Sequence, residues 1–148
     1  MEAKRLAGLE PANVFAYFEE ICRIPHGSGN EEAISNYLVD FAKAHNLEHY
    51  QDEAKNVIMI KEASAGYEGV EPFIIQGHMD MVAVKKENCH KDLKTEGITP
   101  MTDGVKVWAD GTSLGGDDGI AVAYALAILD SDDMKHPALE VIITTDEE

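Results

Sequence analysis

One histidine and several carboxylates stand where strands are predicted to end, and these residue types could together bind a divalent metal ion. Residues 73–82 begin as an apolar run and reach His78 and Asp80, which are two positions apart. Strand side chains alternate between faces, so both residues are expected on one face at the end of a buried strand. Chemistry is often found at such strand ends in open α/β sheets.

Two acidic clusters further along the chain could complete a metal site. Residues 115–119 place Asp117 in a glycine-rich loop, and the final residues include the adjacent pair Glu147 and Glu148. Nitrogen and oxygen ligands of this kind suit zinc, cobalt or manganese, and wide spacing is typical of a site assembled from separate strand ends. Neighbouring glutamates point in different directions, so one could bind metal while the other faces an attacking water. A solvated acidic surface remains the alternative.

Composition and charge limit the possible partners. The 148 residues carry 12 basic and 28 acidic side chains, a formal net charge of −16. Such a surface repels phosphate backbones and anionic lipid, so neither nucleic acid nor a membrane is an expected partner. There is no long apolar segment, residues 1–10 hold no run of the signal-peptide type, and Cys22 and Cys89 form no disulfide framework. These features predict a cytoplasmic protein.

The pattern of elements predicts the α/β class. Helices are predicted over residues 11–24, 29–45 and 120–129, strands over 56–61, 73–82 and 139–145, and a hairpin over 99–108. Ser28 and Glu31 have the spacing of a capping box for the second helix, and His45 and His49 are interpreted as surface residues. Strands with intervening helices predict a helix-flanked, partly parallel sheet. A strand so close to the last residue suggests a piece of a longer protein.

Three motifs, in this order along the chain, resemble those of the co-catalytic zinc exopeptidases, the superfamily of aminoacylase and carboxypeptidase G. They are Gly-His-Met-Asp-Met-Val at 77–82, Gly-Thr-Ser-Leu-Gly-Gly-Asp-Asp-Gly-Ile at 111–120 and Thr-Thr-Asp-Glu-Glu at 144–148. The sequence is most similar to the aminoacyl-histidine dipeptidase branch, which cleaves Xaa-His dipeptides such as carnosine. The resemblance implies a three-layer α/β/α catalytic domain with a mixed, mostly parallel sheet. Residues 1–148 would be its N-terminal part, without the lid domain.

The resemblance also implies a function and a role for each site residue. The activity would be hydrolysis of aminoacyl-histidine dipeptides by a water that two zinc ions activate, with cobalt or manganese as possible substitutes. His78, Asp117 and Glu148 would be metal ligands, with Asp117 bridging both ions, while Asp80 would orient His78 and Glu147 would be the general base. A cis peptide bond is implied between Asp117 and Asp118.

The sequence departs from the family pattern in one respect. The family requires a further aspartate and a further histidine beyond Glu148, so this chain would supply only part of the ligand set and would be nearly inactive alone. Missing strands would leave an apolar sheet edge open, which favours a homodimer or other self-association. Two alternatives remain: a non-catalytic binding or oligomerisation module of the same fold, and an α/β domain whose acidic motifs are coincidental.

Overall fold

The structure, a computed structural model, describes residues 5–148 as three helices and six strands. They are helices α1 (Ala12–Arg23), α2 (Glu32–Ala44) and α3 (Gly116–Asp130), and strands β1 (Glu48–Gln51), β2 (Val57–Lys61), β3 (Phe73–His78), β4 (Pro100–Thr102), β5 (Val107–Ala109) and β6 (Leu139–Thr144). In this part of the chain, no helix has the length and apolarity needed to cross a membrane. The prediction about residues 1–10 falls partly on residues 1–4, which lie outside the described residues.

Four strands form a mixed sheet in the order β1-β2-β6-β3, and β4 and β5 form a separate hairpin. The α/β class, the mixed sheet and the hairpin are therefore confirmed, whereas β1 was not predicted. Strand β3 runs parallel to β6, while β1-β2 and β2-β6 are antiparallel. The expectation of a mostly parallel sheet is thus wrong for the described residues, because only one of these pairings is parallel.

One face of the sheet carries the core. Alternate residues of the central strands are fully buried, among them Val57, Met59 and Val141. The buried apolar side chains of all three helices belong to the same cluster. On the opposite face Ile58 and Ile142 are only half-buried. Residues 5–148 therefore form two of the three layers that the resemblance implied.

Strand β3 lies at an edge of the sheet rather than in its interior. Phe73 and Ile74 are 61% and 58% exposed, and only Gly77 and His78 at its end are buried. The prediction of a buried strand is wrong for most of β3. An apolar run in the sequence looks the same whether the strand has neighbouring strands on both sides or on one side only. Among the described residues, β3 is hydrogen-bonded to β6 alone.

Helix α1 packs closely against α3 and thereby fixes the position where α3 begins. Phe18, Ile21 and Cys22 on α1 are buried, and burial raises the pKa of the Cys22 thiol to about 12. Gly119, near the start of α3, permits this approach because a Cβ there would lie 3.2 Å from the Phe18 ring. The loop that precedes α3 is thereby fixed beside the end of β3.

Candidate metal centre

Three of the predicted ligands converge in the structure. His78, Asp117 and Glu148 each offer one ligand atom, and these atoms lie within 4.8 Å of one another. His78 ends β3, Asp117 begins α3, and Glu148 follows β6. Because β3 and β6 are parallel neighbours, their carboxyl ends meet at one edge of the sheet, and α3 starts at the same edge.

The His78 ring is held so that one nitrogen faces the other acids. Its Nδ1 lies 3.0 Å from the backbone oxygen of Asp80 and 3.3 Å from Asp80 Oδ1, so Nδ1 carries a proton and donates it. Its Nε2 lies 3.0 Å from Asp117 Oδ1. Burial lowers the pKa of His78, but the Asp117 hydrogen bond and the Asp80 charge outweigh it, and the pKa is raised above its ordinary value. Without its Nε2 proton, this nitrogen can act as a metal ligand.

Asp80 does more than the orienting role that the resemblance implied. Its carboxylate is 1% exposed and accepts hydrogen bonds from Ser28 Oγ at 2.8 Å, from Glu147 N at 3.1 Å and from Glu148 N at 3.2 Å. Burial alone would raise the pKa of Asp80, but these donors outweigh it and lower the pKa. The ionised carboxylate therefore connects the histidine to the backbone of the predicted base and ligand.

Two exposed carboxylates face the open side of the site. The Asp117 side chain is 83% exposed, and that of Glu147 is 57% exposed. Glu147 Oε2 lies 3.6 Å from His78 Nε2, so this carboxylate reaches the same space as the three candidate ligands. Several negative groups thus surround one imidazole, an arrangement that a divalent cation would compensate.

Asp118 ties the glycine-rich loop to the end of β3. The Asp117–Asp118 peptide bond is cis, as the resemblance implied. Asp118 Oδ2 accepts a hydrogen bond from the backbone N–H of His78 at 3.2 Å. A Cβ at Gly77 would lie 2.8 Å from the same oxygen, so the strand needs a glycine here. No sequence signal assigned this contact to Asp118.

The predicted capping box does not form. Helix α2 begins at Glu32 and has no side-chain cap. Ser28 Oγ instead donates to Asp80, and Glu31 Oε1 accepts hydrogen bonds from Gly29 N at 3.0 Å and from Asp146 N at 3.2 Å. The local spacing was correct for a cap, but both side chains have partners far away in the sequence.

Ser113 and His45 also make specific hydrogen bonds, and these have structural roles. Residues 111–115 match the G-x-S-x-G pattern of serine hydrolases, but Ser113 Oγ is hydrogen-bonded to the backbone of Val82 and Val84. His45 is half-buried, and its Nε2 lies 2.8 Å from Asp130 Oδ1, so its interpretation as a surface residue was wrong.

A cleft of about 770 Å³ opens beside Glu148, between residues 27–30 and 81–85.

Solved peptidase structures share this fold. The chain superposes on aminoacylhistidine dipeptidase from Vibrio alginolyticus with a TM-score of 0.93 and 40% sequence identity, over 97% of this chain and 29% of that one. It superposes on a tripeptidase from Staphylococcus aureus with a TM-score of 0.72 over 91% of this chain and 36% of that one, and the 22% identity there shows the fold alone. The fold is thus the α/β fold of these peptidases.

In sequence, the chain is 39% identical to the cytosol non-specific dipeptidase of Escherichia coli K12 over 143 residues. That match covers 97% of this chain and 30% of the relative, and no family profile matches the chain. The chain is a homologue of the two dipeptidases and spans less than a third of their length. The resemblance to aminoacyl-histidine dipeptidases is confirmed.

Proposed function

We propose that this chain is the N-terminal part of the catalytic domain of a metal-dependent dipeptidase that acts on aminoacyl-histidine dipeptides. The observation that carries the proposal is the convergence of His78, Asp117 and Glu148, from three separate elements, in a chain homologous to two dipeptidases. The lid domain and the remaining metal ligands would come from residues beyond this sequence.

The donor set fits two zinc ions, with cobalt or manganese as substitutes. Imidazole nitrogen and carboxylate oxygen are ligands that zinc accepts, and His78 presents Nε2 because Nδ1 is engaged by Asp80. The exposed carboxylate of Asp117 would hold both cations, the role that the resemblance implies for it. When bound, the zinc ions would polarise the scissile carbonyl and lower the pKa of a water.

The chain's own groups would then move the proton. The Glu147 carboxylate would accept one proton from the attacking water at an Oε atom while the water oxygen bonds to the carbonyl carbon. As the C–N bond breaks, Glu147 would deliver that proton to the amine nitrogen, so the products are a carboxylic acid and a free amine. Asp80 keeps His78 oriented through Nδ1 and holds Glu147 through its backbone N–H. The cleft beside Glu148 provides space for the dipeptide.

Two further parts of the proposal concern location and assembly. We infer a cytoplasmic location, which is supported by the name of the Escherichia coli relative, a cytosol dipeptidase. We infer self-association or a homodimer, for which the support is the exposed β3 edge with Phe73 and Ile74, since an open apolar strand edge favours pairing with another chain.

Replacement of Glu147 tests the assignment of the base. In the complete natural chain that contains this sequence, Glu147→Ala should lower turnover of an aminoacyl-histidine dipeptide by at least about 100-fold. Zinc content should be largely kept, because Glu147 is proposed to hold a proton rather than a metal. Turnover assays and metal analysis on the same preparation measure both.

Asp146→Asn is the matched control for this variant. It changes the neighbouring acid, which has a φ of 54° that asparagine tolerates, and should keep both turnover and zinc. Normal dipeptide hydrolysis by Glu147→Ala would show that the role of Glu147 is misassigned. Zinc binding by the unmodified protein without hydrolysis of any dipeptide would favour the non-catalytic module.

A further inference from the structure

We propose that Glu31 is a positioning residue for the acidic turn, which we define as residues 146–148, and thereby for Glu147 and Glu148. This inference rests on the proposed function, because the geometry of the turn matters for catalysis only if Glu147 moves a proton and Glu148 binds metal. Glu31 itself would touch neither metal nor substrate. It would act through the backbone of the turn.

Two buried carboxylates hold three consecutive backbone N–H groups of the acidic turn. Glu31 Oε1 accepts from Asp146 N at 3.2 Å, and Asp80 accepts from Glu147 N at 3.1 Å and from Glu148 N at 3.2 Å. Strand β6 ends at Thr144, so the turn has no ladder hydrogen bonds of its own. Hydrogen bonds to carboxylates are stronger than those between neutral groups, so these contacts restrain the backbone of the turn directly.

The position of Glu31 is not explained by helix α2. The residue is 9% exposed, although it lies in the N-cap position where a glutamate usually points to solvent, and α2 has no side-chain cap. Its Oε1 is shared between Gly29 N, 3.0 Å away, and Asp146 N. This arrangement places a buried negative charge where it can hold a segment 115 residues away in sequence.

The same short loop contacts the other carboxylate. Ser28 Oγ donates to Asp80 Oδ2 at 2.8 Å, so residues 28–31 reach the acidic turn directly through Glu31 and indirectly through Asp80. Residues of this loop also line the cleft beside Glu148. The loop therefore links one wall of the cleft to the backbone that carries the base and a ligand.

Loss of the Glu31 side chain should make the acidic turn less ordered without removing any proposed metal ligand. Asp146 adopts a φ of 54°, which L side chains rarely adopt, so the turn depends on its external hydrogen bonds. With the Asp146 N–H released, Glu147 and Glu148 would sample more orientations. The consequence would be a lower kcat and weaker metal binding, with KM nearly unchanged because no substrate contact is removed.

The test compares Glu31→Ala with Glu31→Gln in the complete natural chain. For Glu31→Ala we expect kcat and zinc affinity to fall by about 10–100-fold. The visible absorption spectrum of the Co²⁺-loaded protein should change, and the amides of the acidic turn should exchange with deuterium faster. Glu31→Gln keeps the acceptor oxygen and should restore most of each value. If Glu31→Ala does not fold, Glu31→Asp replaces it as the variant expected to lose function, because its side chain is one methylene shorter and its oxygen would not reach Asp146 N.

Glu19→Ala is the matched control. Glu19 is also buried, at 4% exposure, and also accepts a hydrogen bond from a distant backbone group, Leu6 N at 3.1 Å, but it lies on α1. This variant should lose thermal stability while its kcat, Co²⁺ spectrum and acidic-turn exchange stay near those of the unmodified protein. Equal changes in Glu19→Ala and Glu31→Ala would reduce Glu31 to a structural role and overturn the proposal.

Two other outcomes are decisive. Unchanged kcat, spectrum and exchange in Glu31→Ala would overturn the proposal, as would failure of Glu31→Gln to restore them. An unmodified protein that binds no zinc and cleaves no dipeptide would end the proposed function instead. In that case deuterium exchange of the acidic turn alone decides whether Glu31 holds it, since this measurement needs neither metal nor turnover.

Discussion

Two histidines in this molecule make nearly the same hydrogen bonds in different surroundings. In both, Nδ1 lies beside a backbone oxygen, that of Asp80 for His78 at 3.0 Å and that of Phe41 for His45 at 2.9 Å. In both, Nε2 lies beside an aspartate oxygen, at 3.0 Å for His78 and at 2.8 Å for His45. A histidine–aspartate pair by itself therefore does not distinguish a candidate metal centre from a structural contact.

The difference lies in what surrounds each pair. Near His45, the second oxygen of Asp130 accepts the Tyr17 hydroxyl proton at 2.8 Å, and the imidazole stacks on the Phe41 ring at 4.0 Å. All the polar groups of that cluster have partners within it. Near His78, by contrast, the exposed carboxylates of Asp117, Glu147 and Glu148 outnumber the available donors. This excess of converging acid, rather than the imidazole alone, is the observation that supports the proposed metal site.

The largest expected difference is in metal content. In the complete natural chain, His78→Ala should lose one zinc ion per chain and most of the proposed dipeptidase activity, because a proposed metal ligand is removed. His45→Ala should keep its zinc and lower the free energy of unfolding by about 1 kcal/mol, since a half-exposed hydrogen-bonded pair is lost. Metal analysis and urea denaturation measure these effects. Equal loss of zinc in both variants would erase the distinction between the two clusters.

A smaller difference is expected between the aspartates that flank the two rings. Asp80→Asn removes the charge that holds the backbone of Glu147 and Glu148, so zinc affinity should fall by about 10–100-fold. Asp130→Asn should leave zinc affinity unchanged. Competition with a chromophoric chelator measures both affinities. Zinc binding of unmodified strength by Asp80→Asn would show that the acidic turn needs no such anchor.

Local patterns were sufficient for the helices but not for several long-range partners. The periodicity of apolar residues predicted α1 and α2 to within a few residues, because burial of a stripe is decided locally. Ser28 and Glu31 were misinterpreted as a capping box because their partners, Asp80 and Asp146, are 52 and 115 residues away. No local pattern carries that information.

The candidate site itself was predicted from two sources. Functional groups are often found at strand ends, and this rule predicted a possible metal site at His78 and the acidic residues further along the chain. The resemblance then assigned Asp117 and Glu148 as ligands. The residues of β3 could not show its edge position, since exposure depends on which strands lie beside it. An open apolar edge was expected only from the resemblance, which did not say which strand would form it. His45 was misread for the same reason, because Asp130 lies 85 residues further along the chain.

The smallest expected effect concerns the pH dependence of the His45 cluster. The Tyr17 hydroxyl and the His45 ring hold the pKa of Asp130 below its ordinary 3.8, although burial opposes them. A carboxyl pKa that is lowered by folding stabilises the protein above the unfolded value, and this contribution is lost as pH falls through the folded value. Tyr17→Phe should therefore lower the free energy of unfolding by about 0.5–1 kcal/mol at neutral pH, since Asp130 is partly exposed, and by less in acid.

Urea denaturation of Tyr17→Phe at neutral pH and at a pH below the ordinary pKa of Asp130 measures this dependence. In the Asp130→Asn background the tyrosine substitution should cost the same free energy of unfolding at both pH values, because the titrating carboxyl is gone. An equal cost at both pH values with Asp130 present would show that the hydroxyl stabilises the fold without regard to the charge of its partner. The His45 cluster would then be held by packing on Phe41 rather than by an ionised acceptor, and its likeness to the His78 cluster would be one of geometry alone.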